Sequence, residues 1–135
     1  MKTFTYVFFY GYIVTLILAG AWGVFFATLD HWLLFRINVH LLARVPAASL
    51  VSQYRFLRAI ECGFGMFSII YHREIFTVRA FNRLFLGTMA FGVAARFVSF
   101  ILDGWPFPVF YFFLAWELIG IVFIYAYSRG TLERG

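Results

Sequence analysis

The chain has 135 residues, of which 64% are hydrophobic, 24% aromatic and only 13% charged. A soluble domain is about half apolar and about a quarter charged, so this composition excludes an ordinary soluble monomer and points to lipid as the solvent. The net charge of +5 does not indicate nucleic acid: the basic residues stand between hydrophobic runs, where anionic headgroups and the positive-inside bias account for them, and no groove-reading motif accompanies them.

The first apolar run, Phe4 to Leu29, carries no charge and is bounded by Lys2 and Asp30. A bilayer core needs about 20 residues of helix, so this run is long enough to span. Lys2 followed by an apolar stretch and Ala19-Gly20-Ala21 also resembles a signal peptide. The run continues through Trp22, Val24, Phe25 and Phe26, too long and too bulky for a cleaved leader. A retained helix near 4–29 is expected.

Asp30 to Gln53 is mixed. His31, Arg36, Asn38, His40, Arg44 and Pro46 stand there among Leu, Val and Phe. Too polar to span and too apolar for free coil, it reads as a short interfacial helix or a cap on a bundle.

Three further runs follow, near 54–72, 84–102 and 109–128. The second carries Arg58 and Glu61, the third Arg96 and the fourth Glu117. Asp103-Gly104 with Pro106 and Pro108 marks a tight turn between the last two. The expected fold is therefore all-α: an integral membrane four-helix bundle in one domain, 1–135, with an interfacial segment between helices 1 and 2.

Counting basic residues gives the orientation. With the amino terminus inside, the inner side holds Lys2, Arg73, Arg79, Arg83, Arg129 and Arg134, and the outer side Arg36, Arg44 and Arg55. Both termini are expected in the cytoplasm.

Charges within apolar runs are the candidate functional residues, since each costs several kcal/mol unless partnered. At 100° per residue, Tyr54, Arg58, Glu61, Gly65, Ser68 and His72 share one arc of the second helix. Thr88, Gly92, Arg96, Ser99 and Asp103 share one arc of the third, and Glu117 shares a stripe with Gly120 and Ile124. Counted from the common outer end, Glu61, Arg96 and Glu117 all fall roughly 10–14 Å deep. Arg96 has the planar fork to bridge two carboxylates. Arg58, Glu61, Arg96, Glu117 and Asp103 are thus expected to form a buried charge cluster. It would either lock helix register or line a cavity for a polar headgroup or a proton transfer.

Other chemistries find no support. His31 and His40 are read on the outer side and His72 on the inner, so bis-histidine haem, a metal site or another cofactor is not expected. The serines have no histidine base beside them in sequence. Cys62 is the only cysteine; beside Gly63 in an apolar segment it reads as a small packed hydrophobe. Gly63-Phe64-Gly65 reads as helix packing, because no strand precedes it.

Arg58-Ala59-Ile60-Glu61-Cys62-Gly63, Gly92-Val93-Ala94-Ala95-Arg96-Phe97-Val98-Ser99, Asp103-Gly104-Trp105-Pro106 and Glu117-Leu118 carry a resemblance. From about Tyr54 onward the chain resembles the domain of unknown function 4345 family, and in general layout the DoxX-like four-helix proteins. The sequence departs from the family pattern at Glu61-Cys62, where small residues are usual. The resemblance implies a bacterial inner-membrane protein of four helices without an assigned reaction.

The expected function is non-enzymatic: binding of a lipid-like ligand, or accessory service to a partner membrane protein or to further copies of the chain, with membrane lipids around it. The Arg and Glu residues would hold the ligand's polar part and the Phe-rich walls its apolar part. The alternatives are an intramembrane acid–base enzyme acting on a sterol-, quinone- or isoprenoid-like substrate through Glu61 or Glu117, and a structural subunit of a membrane complex.

Overall fold

The computed structural model describes residues 2–132; Arg134, counted above on the inner side, and Gly135 lie outside the described residues. The fold is all-α. Six α-helices are present among the described residues: α1 (Lys2–Phe25), α2 (Ala27–Phe35), α3 (Arg44–Ile70), α4 (His72–Thr77), α5 (Arg79–Leu102) and α6 (Val109–Leu132), with a 3₁₀ turn at Val39–Leu41.

Three of them, α1, α5 and α6, are long and apolar enough to cross a membrane. Each has 24 residues, about 36 Å of helix against a hydrocarbon core of about 30 Å. Their outer faces are apolar and bare, as with Phe91 at 80% and Ile101 at 81% exposure. α3 is longer, with 27 residues, but Arg44, Arg55, Arg58 and Glu61 interrupt it. Its status as a fourth span therefore does not follow from length and composition.

Boundaries depart from the sequence reading in three places. The first run is not one helix to Leu29: Phe26, at φ −112° and ψ 34°, breaks it, and α2 begins at Ala27. The Asp30–Gln53 segment is shared among α2, the 3₁₀ turn and the first ten residues of α3. Pro46 falls in the first turn of α3, where a missing N–H costs no intrahelical bond. Tyr71 interrupts the second run, so that α4 forms a separate short helix.

α2 closes at Arg36, which takes a left-handed conformation at φ 57°, and the Asn38 side chain accepts from the His40 N–H to cap the 3₁₀ turn. At the end of α5 the left-handed position belongs to Gly104, φ 92°, where glycine carries no Cβ penalty. The turn expected from Asp103-Gly104 and the two prolines is present.

The chain divides into two units, one taking the chain up to Tyr12 and again from Ser68, the other Ile13–Phe67. In the first, α4, α5 and α6 pack on one another. Phe9 of α1 is fully buried with its ring 5.0 Å from Phe76 and 5.2 Å from Phe85. Ile75, Met89 and Ile124 complete that core. Asn82 donates to the Ile75 carbonyl at 2.9 Å and ties α5 to α4.

In the second unit the later half of α1 lies against α3 at backbone distance. A Cβ on Gly20 would sit 2.7 Å from the Arg58 carbonyl oxygen and the Cys62 nitrogen. A Cβ on Gly65 would meet Ile17 at 2.7 Å. Only glycine permits so close a crossing, the means by which membrane helices gain packing contact.

Candidate functional site

Phe26 interrupts the regular helix, but backbone hydrogen bonds from Phe26 N–H to the Trp22 carbonyl and from Asp30 N–H to the Phe26 carbonyl carry the path on, and Asp30 stands within reach of Trp22. Trp22 Nε1 donates to Asp30 Oδ1 at 3.0 Å, and the Tyr54 hydroxyl donates to Oδ2 at 2.8 Å. Both carboxylate oxygens of Asp30 are thereby satisfied, and the residue is 5% exposed. His31, also buried, sets Nδ1 2.7 Å from the Ala27 carbonyl and its ring 4.5 Å from that of Tyr54.

Tyr54 passes the chain on. One turn along α3, Arg58 Nε donates to the Tyr54 oxygen at 2.8 Å, and Arg58 Nη1 donates to Glu61 Oε2 at 2.6 Å. The Arg58 stem rests on Gly23 of α1, where a Cβ would lie 2.7 Å from Cδ. A tryptophan, an aspartate, a tyrosine, an arginine and a glutamate thus form one continuous hydrogen-bonded line across α1, α2 and α3. It holds one guanidinium between two carboxylates.

The two ends of the line differ. Asp30 is closed, whereas the Glu61 side chain is 41% exposed. Its other oxygen, Oε1, takes no hydrogen bond from the described residues of its own unit. Around it on α3, Leu57 and Ile60 are exposed and apolar. An open carboxylate oxygen on an apolar helix face can receive a hydroxyl or ammonium donor.

The other unit holds the second ion pair. Arg96 of α5 presents its planar edge to Glu117 of α6, with Nε to Oε2 at 3.0 Å and Nη2 to Oε1 at 3.1 Å. Both glutamate oxygens are engaged, in the two-bond geometry that favours arginine over lysine. Arg96 stands seven residues before Asp103 and Glu117 nine after Pro108, so the hairpin brings them to one level.

Asp103 stands apart from this pair. It lies at the exposed end of α5, accepting from Ser99 Oγ at 2.8 Å, and closes the helix. The five expected site residues therefore resolve into a pair in each unit and a helix-end contact. Among the described residues, no three of His, Cys, Asp or Glu gather as a metal site.

An open groove of about 350 Å³ lies along α2 and the 3₁₀ turn, lined by Thr28, Leu29, Trp32 and residues 37–40. Its one titratable side chain is His40, and neither ion pair lines it.

The chain matches the domain of unknown function 4345 over residues 4–128. It belongs to that family. The match takes in both units, from the first turns of α1 into the last turns of α6, so that both ion pairs lie within the family region. No curated protein and no solved structure matches the chain.

The residues that sequence reasoning left out of the site are Trp22, Asp30 and His31. Asp30 stood only as the boundary of an apolar run. A usable signal was available: an acid closing an uncharged run of 26 residues must find donors or lie in water. Tyr54 was placed on the arginine face of its helix, but its hydroxyl was given no partner.

Proposed function

We propose that this member of the family is a non-enzymatic, multi-pass membrane protein that binds the polar end of a lipid-like molecule at Glu61. In this reading α3 crosses the membrane together with α1, α5 and α6, in a four-helix bundle of the bacterial inner membrane with both termini in the cytoplasm. The observation that carries the binding role is the open Oε1 of Glu61, held in place through Arg58, Tyr54 and Asp30 on an otherwise apolar face. With one guanidinium between two carboxylates, the site has formal negative charge in excess and selects a donor: a hydroxyl or an ammonium group.

The chain of hydrogen bonds favours binding over acid–base chemistry. A proton passing from Asp30 to Glu61 would have to cross the Arg58 guanidinium, which does not give up its proton in proteins. The Arg96–Glu117 pair is assigned a clamping role, because both carboxylate oxygens are already engaged.

Native mass spectrometry of the protein released from its own membrane tests the reading. The wild type is expected to carry a bound lipid-like molecule with a hydroxyl or amine headgroup. Glu61→Gln is expected to lose it while Arg96 and Glu117 remain undisturbed. Equal ligand occupancy in wild type and Glu61→Gln would refute the assignment.

A further inference from the structure

The basic residues of the first unit are gathered, by contacts within that unit, at one end. The ring of Tyr6 of α1 lies tilted at 5.1 Å from that of Phe76 of α4 and edge-on at 5.9 Å from that of Tyr127 of α6. The Thr5 hydroxyl donates to the Phe123 carbonyl at 3.3 Å, so the start of α1 lies beside the end of α6. α4 leads through Val78 into the first turn of α5. Lys2, Arg73, Arg79, Arg83 and Arg129 therefore come to the same end of the unit, and all five are exposed. Glu74 is the one acid among them within the described residues. At the opposite end, the turn between α5 and α6 carries Asp103 and no basic residue.

We infer that this end of the first unit is a binding rim for the phosphate groups of anionic phospholipids. Arg79 and Arg83, one turn apart on α5, form its centre. Charge complementarity selects the occupant. Among the described residues, Lys2, Arg73, Arg79 and Arg83, set against Glu74 and drawn from three helices, fit a layer of phosphate monoanions, and the exposed surface of α5 next along the helix, Leu84 and Phe91, is apolar as acyl chains require. A juxtamembrane cation gains about fivefold in affinity for an anionic surface, so a cluster discriminates where a lone arginine does not. Neither Glu61 nor the Arg96–Glu117 pair enters the argument. The inference does rest on the reading of the chain as a membrane protein.

The test uses the full chain reconstituted into phosphatidylcholine vesicles with increasing shares of phosphatidylglycerol of the same chain length. Spin-labelled phosphatidylglycerol and phosphatidylcholine report the relative occupancy of the lipid shell around the protein. Arg79→Gln with Arg83→Gln is compared with Arg44→Gln with Arg55→Gln, an equal loss of exposed charge in the other unit. Wild type should prefer phosphatidylglycerol, and the preference should weaken as salt rises. The first pair should reduce it by about fivefold or more, and the second pair should leave most of it in place. Equal loss in both pairs, or no preference in the wild type, overturns the inference. Failure of the wild type to enter vesicles at all would instead overturn the membrane reading. Should the Arg79/Arg83 pair not fold, the salt dependence of the wild type and the single change Arg83→Gln carry the same decision.

Discussion

Replacing Arg96 by Met is the sharpest perturbation of the first unit. The substitution keeps most of the volume and removes both hydrogen bonds to Glu117, at 3.0 and 3.1 Å. The Glu117 side chain is 13% exposed, so its largely buried carboxylate loses both of its arginine donors. Breaking a buried pair from one side costs about 3–5 kcal/mol. Because Arg96 keeps 30% exposure, the lower end of that range, about 3 kcal/mol, is expected. Removing both charges should be far milder, since well-packed apolar residues replace a buried pair at little net cost. Arg96→Met with Glu117→Leu is therefore expected within about 1 kcal/mol of the wild type. Arg96→Lys keeps the charge but not the planar fork and should fall between the two variants. Equilibrium unfolding in mixed micelles, followed by far-ultraviolet circular dichroism, measures all three, and the double-mutant cycle isolates the coupling. If the single change is nearly silent, or the double change is as damaging as the single, the clamping role is wrong.

Three further outcomes follow from the second unit and from the basic count. Gly20→Ala should destabilise by about 1–3 kcal/mol through forced separation of α1 and α3, whereas Gly63→Ala, with open space around the new methyl, should be neutral or stabilising; the same unfolding assay reads both. Tyr54→Phe removes the hydroxyl shared by Asp30 and Arg58 and should cost about 1–3 kcal/mol, with loss of bound ligand because Arg58 is no longer steadied; unchanged stability and occupancy would remove Tyr54 from the line. A fluorescent-protein fusion at Gly135 should be bright and the matching alkaline phosphatase fusion inactive; the reverse pattern would invert the topology or change the number of spans.

Most of the helical content was legible because lipid-length apolar runs announce themselves. The third and fourth runs differ from α5 and α6 by only a few residues, at the start of α5 and the end of α6. The break at Phe26 was not legible, and the reason is physical. No glycine or proline marks it, and an apolar run has the same composition whether it continues straight or turns. What accompanies the bend is tertiary: Asp30 takes a donor from Trp22 of α1 and another from Tyr54 of α3. The charges on helix faces were found by their spacing, and Arg96 with Glu117 followed from equal depth along a hairpin. Pairing of Arg58 with Glu61, three residues apart on one helix, is a local option that sequence spacing allows, whereas the depth count placed both residues in a single cluster. Hydrogen bonds from Trp22 and Tyr54 to an acid at the end of a run required knowledge of the bend itself.

The two proposed lipid sites carry opposite charge, and this separates them experimentally. An anionic headgroup suits the cations of Lys2, Arg73, Arg79 and Arg83, but at Glu61 it would meet a carboxylate whose only cationic neighbour on the line, Arg58, is already committed to Tyr54 and Glu61 itself. A hydroxyl or ammonium headgroup suits Glu61 and gains nothing from an arginine rim. Lipid selectivity should therefore split by variant. Glu61→Gln should reduce retention of amine-bearing lipid, or of lipid whose hydroxyl headgroup has no net charge, and leave the preference for anionic phosphatidylglycerol intact, and Arg79→Gln with Arg83→Gln should do the converse. Side-by-side native mass spectrometry of these variants from one lipid mixture measures both effects together. If either variant lowers both classes equally, the effect comes from general loss of structure, and neither site stands as an independent recogniser of charge.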